Sequence, residues 1–207
     1  NGQVVDSVGG GVCQIAATLY DASLAAELEI TQRQNHSMIV TYVKPSMDAA
    51  IAGDYKDLRF VNNQDIPIYI EGYTEGKNVT FKIYGHDTRP SNRVVTYESE
   101  VISEQDPGTQ YVATGDPAGY MKTAQGKHIG YVARLWKVVT VDGVEESREI
   151  FNKSTYKASP KIVNVGTASA DPNVSAVIGA ALATGDEATI NAAVAPYAAS
   201  AAAILNP

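Results

Sequence analysis

Apolar and polar residues change their period several times along this chain, and each change marks an element. After Gly9-Gly10-Gly11, the residues Val12, Ile15, Leu19, Ala22 and Ala26 recur at steps of three and four. That spacing stacks side chains on one face and predicts a helix reaching to about Leu28. The glycines permit a sharp turn into it from a short strand-like run, Gln3 to Val8. Met38 to Val43 is β-branched and aromatic and reads as a strand. Asp57 to Asn62, Ile66 to Tyr73 and Asn78 to Tyr84 alternate or run apolar, separated by turn compositions, so a meander of strands follows the helix. The period-two spacing of Tyr69, Tyr73, Phe81 and Tyr84 suits sheet packing better than a glycan groove.

A polar stretch with a proline, Asp87 to Asn92, reads as a linker. Beyond it Arg93 to Ser103 alternates as a strand, Glu104 to Lys127 is rich in Gly, Pro and Asp, and Ile129 to Asp142 is a second long strand. Val141-Asp142-Gly143-Val144 is a hairpin signal leading into Glu145 to Phe151. From Ala168 alanine dominates. Asp171-Pro172 marks a helix start, Gly185-Asp186 a stop and a new cap, and Pro196 a kink or restart. The expected fold is therefore α+β: a helix packed on an antiparallel sheet over 1–88, an extended β-ribbon over 93–167, and an Ala-rich helical tail over 168–207. The low-charge tail suits docking on another domain, or serves as a linker.

Composition narrows the function classes. A chain of 207 residues with 44% hydrophobic content fills one sizeable core or two small ones. No run of about 18 apolar residues marks a membrane span. A net charge of −7 argues against nucleic acid or an anionic membrane as partner. One cysteine and three scattered histidines offer no short-spaced ligand pairs, so neither a metal nor another cofactor is expected.

The same lone cysteine cannot form an internal disulfide and stays available as a thiol. Cys13 falls in the first turn of the expected helix, where unpaired N–H groups and the positive end of the helix dipole favour an anion such as a thiolate. The alternative is a small buried hydrophobe filling space behind the glycines. A thiolate needs a base, and His36, just past the helix in Arg33-Gln34-Asn35-His36-Ser37, is the natural candidate. Standing alone, it reads equally well as a surface or structural imidazole. His86 and His128, at a strand end and in a Gly/Lys/Gln loop, read as exposed and inert.

Gly9-Gly10-Gly11-Val12-Cys13-Gln14, Thr18-Leu19-Tyr20, Asn35-His36-Ser37, Asp48-Ala49, Phe60-Val61-Asn62-Asn63 and Pro67-Ile68-Tyr69-Ile70 occur in that order and resemble the VanW family over residues 1 to about 85. The resemblance implies a bacterial cell-envelope module linked to peptidoglycan; some members are associated with L,D-transpeptidase chemistry through the motif cysteine, here Cys13. In that chemistry a thiolate attacks the carbonyl after the third residue of a tetrapeptide stem and expels the terminal D-alanine. The acyl group then passes from the thioester to an amine of a neighbouring stem. Cys13 would be the nucleophile and His36 the base, with backbone N–H groups around Cys13 and Gln14, and the Gln14 side chain, as oxyanion donors. Asp48, Asn35 and Ser37 are candidates to orient His36, with Asn35 and Ser37 also near any bound stem; Asp48 equally suits a local turn hydrogen bond. Arg33 could pair with a substrate carboxylate, or be a solvated helix-end arginine.

The strand Tyr131 to Val138, the Val141-Asp142-Gly143-Val144 turn, Ser147-Arg148-Glu149, Tyr156 and Val163 to Thr167 resemble a G5 domain, an extended β module of surface proteins that implies amino-sugar glycan binding or a spacer role. Trp136 would then stack on a sugar, although one Trp in a thin ribbon also serves as its core. Because the chain starts at Asn1-Gly2 inside the motif region, an upstream part of the VanW-like domain is expected. The expected location is the cell wall or surface of a bacterium, and the expected partner peptidoglycan stem peptides or glycan. Three functions stay open: a cysteine L,D-transpeptidase, a cysteine peptidase or amidase acting on stem peptides, and a non-catalytic wall-binding or spacer protein.

Overall fold

The helix forms where the apolar spacing placed it, but it buries a different face. In the computed structural model, which describes residues 10–205, α1 spans Val12–Ala25. It stops short of Leu28 because Glu27 turns left-handed at φ 52°. Ala16, Ala17, Tyr20, Ser23 and Leu24 are buried, whereas Val12 and Ile15 stay 44% and 45% exposed. The helix is apolar around most of its girth, so two overlapping faces fit a helical period. The tertiary partner chooses between them, and small Ala16 and Ala17 let that partner come close. The strand-like run Gln3 to Val8 lies outside the described residues.

Two short strands, β1 (Glu29–Gln32) and β2 (Arg59–Val61), pair antiparallel. The run Met38 to Val43, expected as a strand, is irregular. Its flanks are pinned together instead: the Ala50 N–H donates to the Gln34 carbonyl at 2.8 Å and the His36 N–H to the Asp48 carboxylate at 2.7 Å. Residues 36–48 are thus a loop closed at its neck, with its backbone turned away from any ladder. β3 (Tyr69–Glu75) and β4 (Asn78–Tyr84) form an antiparallel hairpin.

The longer strands follow: β5 (Arg93–Gln105), β6 (Thr109–Pro117), β7 (Met121–Gln125), β8 (Gly130–Val141), β9 (Val144–Tyr156) and β10 (Lys161–Ala168). β5, β8 and β9 make one antiparallel sheet in the order β5-β8-β9. Its β8–β9 turn carries φ 53° at Asp142 and φ 79° at Gly143, the two left-handed residues that a tight hairpin requires and that Asp-Gly supplies. The α1 face packs on this sheet's Leu135 and on Ala49, with Met47, Ile51, Tyr97 and Phe151 around them.

Glu104 to Lys127, rich in Gly, Pro and Asp, contains β6 and β7. They flank β10, β6 parallel and β7 antiparallel to it. The helical tail follows the cap signals. Asp171 accepts from the Asn173 N–H at the start of α2 (Pro172–Thr184), and Asp186 from the Thr189 N–H at the start of α3 (Glu187–Val194). Pro196 sits in a single 3-10 turn, Ala195–Tyr197, before α4 (Ala198–Leu205). Ile178, Ala181, Ile190 and Val194 close a core on Val163 and Val165. Gly119, at φ 100°, lies so close to the Tyr197 backbone that any Cβ would collide with it.

The fold is thus a mixture of helices and mainly antiparallel sheets in two compact units. One comprises residues 10–105 with 130–157, the other 106–129 with 158–205.

Candidate functional site

Asp48 is the centre of the site. It is completely buried, and five donors converge on it. Oδ1 accepts from Arg33 Nη2 at 2.9 Å and from the Tyr156 hydroxyl at 2.5 Å. Oδ2 accepts from the His36 backbone N–H and from Nδ1, both at 2.7 Å. Arg33 Nε adds a bond to the Asp48 carbonyl at 2.6 Å. Burial pushes the Asp48 carboxyl upward, but the His36 and Tyr156 hydrogen bonds and the Arg33 charge outweigh it and hold the group below the usual carboxylate range. Asp48 is therefore an anion at neutral pH.

An ionised carboxylate only accepts, so Nδ1 of His36 carries the proton and Nε2 presents the lone pair. That is the tautomer a general base needs. The Tyr42 hydroxyl lies 3.3 Å from Nε2, with the two rings edge to face at 6.2 Å. Burial, with the charges of Cys13 and Asp48 acting in the same direction, pushes the Tyr42 hydroxyl up to about 12. Tyr42 thus stays a neutral donor within electrostatic reach of the thiol.

Cys13 is the second residue of α1, in its first turn, and half-buried. Its Sγ accepts from the Ile51 N–H at 3.4 Å and donates to the Ile51 carbonyl at 3.5 Å. Among the described residues, no hydrogen bond joins it to His36, whose free nitrogen faces Tyr42.

The remaining sequence candidates take other places. Arg33, expected as a partner for a substrate carboxylate, is only 6% exposed and spends its guanidinium on Asp48 and on Ser154 Oγ at 2.9 Å. It braces the site from within. Asn35 Nδ2 donates to the carbonyls of His36 at 2.7 Å and Thr155 at 2.9 Å, fixing the backbone that carries the histidine. Ser37 is exposed, and its carbonyl accepts from the Lys157 N–H at 2.7 Å. Gln14 is exposed beside Cys13, and its carbonyl accepts from the Thr18 hydroxyl at 2.8 Å. Trp136 belongs to a separate cluster: Arg134 stacks 4.5 Å from its ring centroid, and its Nε1 donates to Glu100 at 2.5 Å.

Sequence reasoning missed Tyr42, Ser154 and Tyr156 as parts of this site. Tyr42 was hidden in a run that looks like a strand, and Tyr156 lies 108 residues from Asp48. No local pattern links them. Among the described residues, no group of three or more His, Cys, Asp or Glu side chains is placed to hold a metal ion, and no helix is long and apolar enough to cross a membrane.

Comparison with known proteins matches residues 1–84 to the family described as VanW like protein and residues 95–168 to the G5 domain. The chain carries a VanW domain followed by a G5 domain. That pair marks a cell-wall-associated protein of the cell surface. The chain is 37% identical over 86 residues to the uncharacterized protein YoaR of Bacillus subtilis (strain 168), covering 42% of this chain. The chain spans 28% of that relative's length. Two solved G5 structures are similar to it: an IgA1 protease G5 domain, 25% identical over 37% of this chain and 94% of its own, TM-score 0.25, and HP0197-G5, 14% identical over 37% and 100%, TM-score 0.23. Cys13, His36 and Asp48 all lie in the VanW segment, whereas Ser154, Tyr156 and Trp136 lie in the G5 segment.

Proposed function

We propose that the VanW domain is a cysteine acyl-transfer enzyme of the L,D-transpeptidase type, acting on peptidoglycan stem peptides, with the G5 domain holding it to wall glycan. Cys13 is the nucleophile, His36 the base and later acid, and Asp48 the group that orients the imidazole and offsets its charge. The observation that carries this reading is the 2.7 Å bond from His36 Nδ1 to a buried, ionised Asp48, which leaves Nε2 as the acceptor. The Ile51 N–H at 3.4 Å from Sγ adds a donor for the thiolate. The thiolate attacks the carbonyl after the third stem residue, the C–N bond to the terminal D-alanine breaks, and that amine leaves with a proton from His36. An amine of a second stem then displaces the thiol, giving its proton back to His36.

Two measurements test this. Cys13 is expected to react with iodoacetamide at pH 6 faster than free cysteine. Replacing it by alanine in the full-length protein is expected to remove the cross-linked muropeptide dimer. Reaction no faster than free cysteine together with unchanged cross-linking would leave the wall-binding or spacer reading. A hydrolysed stem in place of a dimer would identify a peptidase using the same residues.

A further inference from the structure

The last three residues of β9, Lys157 just beyond it, and Asn152 hold the loop that carries His36 and Asp48. Asn152 Nδ2 donates to the Ser46 carbonyl at 3.2 Å. Ser154 Oγ accepts from Arg33 at 2.9 Å, and the Thr155 carbonyl from Asn35 at 2.9 Å. The Lys157 N–H donates to the Ser37 carbonyl at 2.7 Å. Tyr156, 2% exposed, uses its hydroxyl twice: it accepts from the Ser46 N–H at 2.8 Å and donates to Asp48 Oδ1 at 2.5 Å. With Oδ1 occupied by Tyr156 and Arg33, only Oδ2 is left to face His36.

The structure assigns Tyr156, on a strand of the G5 domain, as a positioning residue for the Cys13–His36–Asp48 site of the VanW domain. The assignment rests on the acyl-transfer reading above. Its physical content is that one hydroxyl performs two tasks. It fixes the rotation of the Asp48 carboxylate, and as a donor to the anion it keeps that buried carboxylate ionised at low pH. The charged and titratable groups that act on Asp48 are Arg33, His36 and Tyr156 by direct contact, with Asp21, Tyr20 and Tyr42 coupled to it through space. Of the direct donors, only Tyr156 comes from the G5 segment. Burial pushes the Tyr156 hydroxyl up to about 12, so it remains a donor throughout the working range.

The test is the pH profile of Cys13 alkylation by iodoacetamide in the whole chain, comparing wild type, Tyr156→Phe and His36→Ala. Tyr156→Phe keeps the packed ring and removes the donor. Asp48 should then take up a proton at higher pH, so the acid limb of the profile should move up by about one unit, an approximately tenfold slower reaction on that limb. A residue that only packs would lower the melting temperature and leave the limb in place. If His36→Ala moves the profile and Tyr156→Phe does not, the assignment is overturned while the acyl-transfer reading stands. If His36→Ala leaves the wild-type profile unchanged, both fall. Should Tyr156→Phe fail to fold, site-specific 3-fluorotyrosine at position 156, whose more acidic hydroxyl is a stronger donor to Asp48, should move the same limb in the opposite direction, and no movement would overturn the assignment.

Discussion

Asp48 and Asp21 are carboxylates influenced by the same guanidinium, yet their surroundings shift their ionisation in opposite directions. Asp48 has donors on both oxygens and stays ionised. Asp21 has a buried Oδ1 with no hydrogen-bond partner among the described residues. Burial pushes it up to about 7, with Arg33 opposing and Asp48 reinforcing the shift. In the unfolded chain the same group titrates near 3.9. Between those values the folded protein holds a proton that the unfolded chain has lost, so this residue's contribution to stability declines as pH rises from about 4 to about 7. Asp21→Asn should therefore be more stable than wild type at pH 8, by roughly 1–2 kcal/mol after allowing for solvent screening, with the difference vanishing at pH 4. Chemical denaturation at the two pH values measures this, and a variant weaker than wild type at pH 8 would refute it. Cys13 and His36 were readable as candidates because each stands in a local context with a chemical meaning, a helix start and a loop edge. Arg33 was not. A charged residue at a helix end looks solvent-directed until the fold wraps β9 over it.

At the level of elements, what the sequence shows well is what neighbouring residues settle among themselves. The Asp142-Gly143 turn, the Asp171 and Asp186 caps and the alternation of β8 are local, and the structure has them where the pattern put them. The face of α1 is the contrary case, because its apolar residues surround most of the helix. The two faces can be weighed by mutation. Leu24→Ala, at a position 1% exposed and packed in the core with Tyr20 and Leu135, should cost about 2–5 kcal/mol. Ile15→Ala, on the face that the apolar spacing favoured but at 45% exposure, should change stability by less than about 0.5 kcal/mol. Urea unfolding of the two variants would show it, and comparable losses would mean that the buried face has been misassigned. The run Met38 to Val43 failed as a strand for a related reason. Its β propensity is real, but propensity yields to tertiary context, and here the loop neck between Gln34 and Ala50 and the bonds to Asp48 take precedence.

Across the whole molecule, the two sequence families run one after the other while the cores do not. Leu135 of β8, inside the G5 segment, completes the core around α1 of the VanW segment, and β9 supplies Ser154 and Tyr156 to Asp48. Leu135→Ala should therefore raise amide hydrogen exchange in α1 as well as in β8 and β9. Exchange at Val163 and Val165 and in α2 and α3, which close a separate core, should stay at the wild-type level. Faster exchange confined to β8 and β9 would contradict a shared core. The sequence by itself determined the elements whose causes lie within a few residues, the order of the two domains, and the pairing of one thiol with one imidazole as candidate chemistry. Only the tertiary structure decided which face of α1 is buried, that Asp48 rather than Asn35 or Ser37 holds the imidazole, and that Tyr156 holds Asp48. Those choices depend on contacts between residues as far as 108 positions apart and more, and no local period or propensity carries information over that distance.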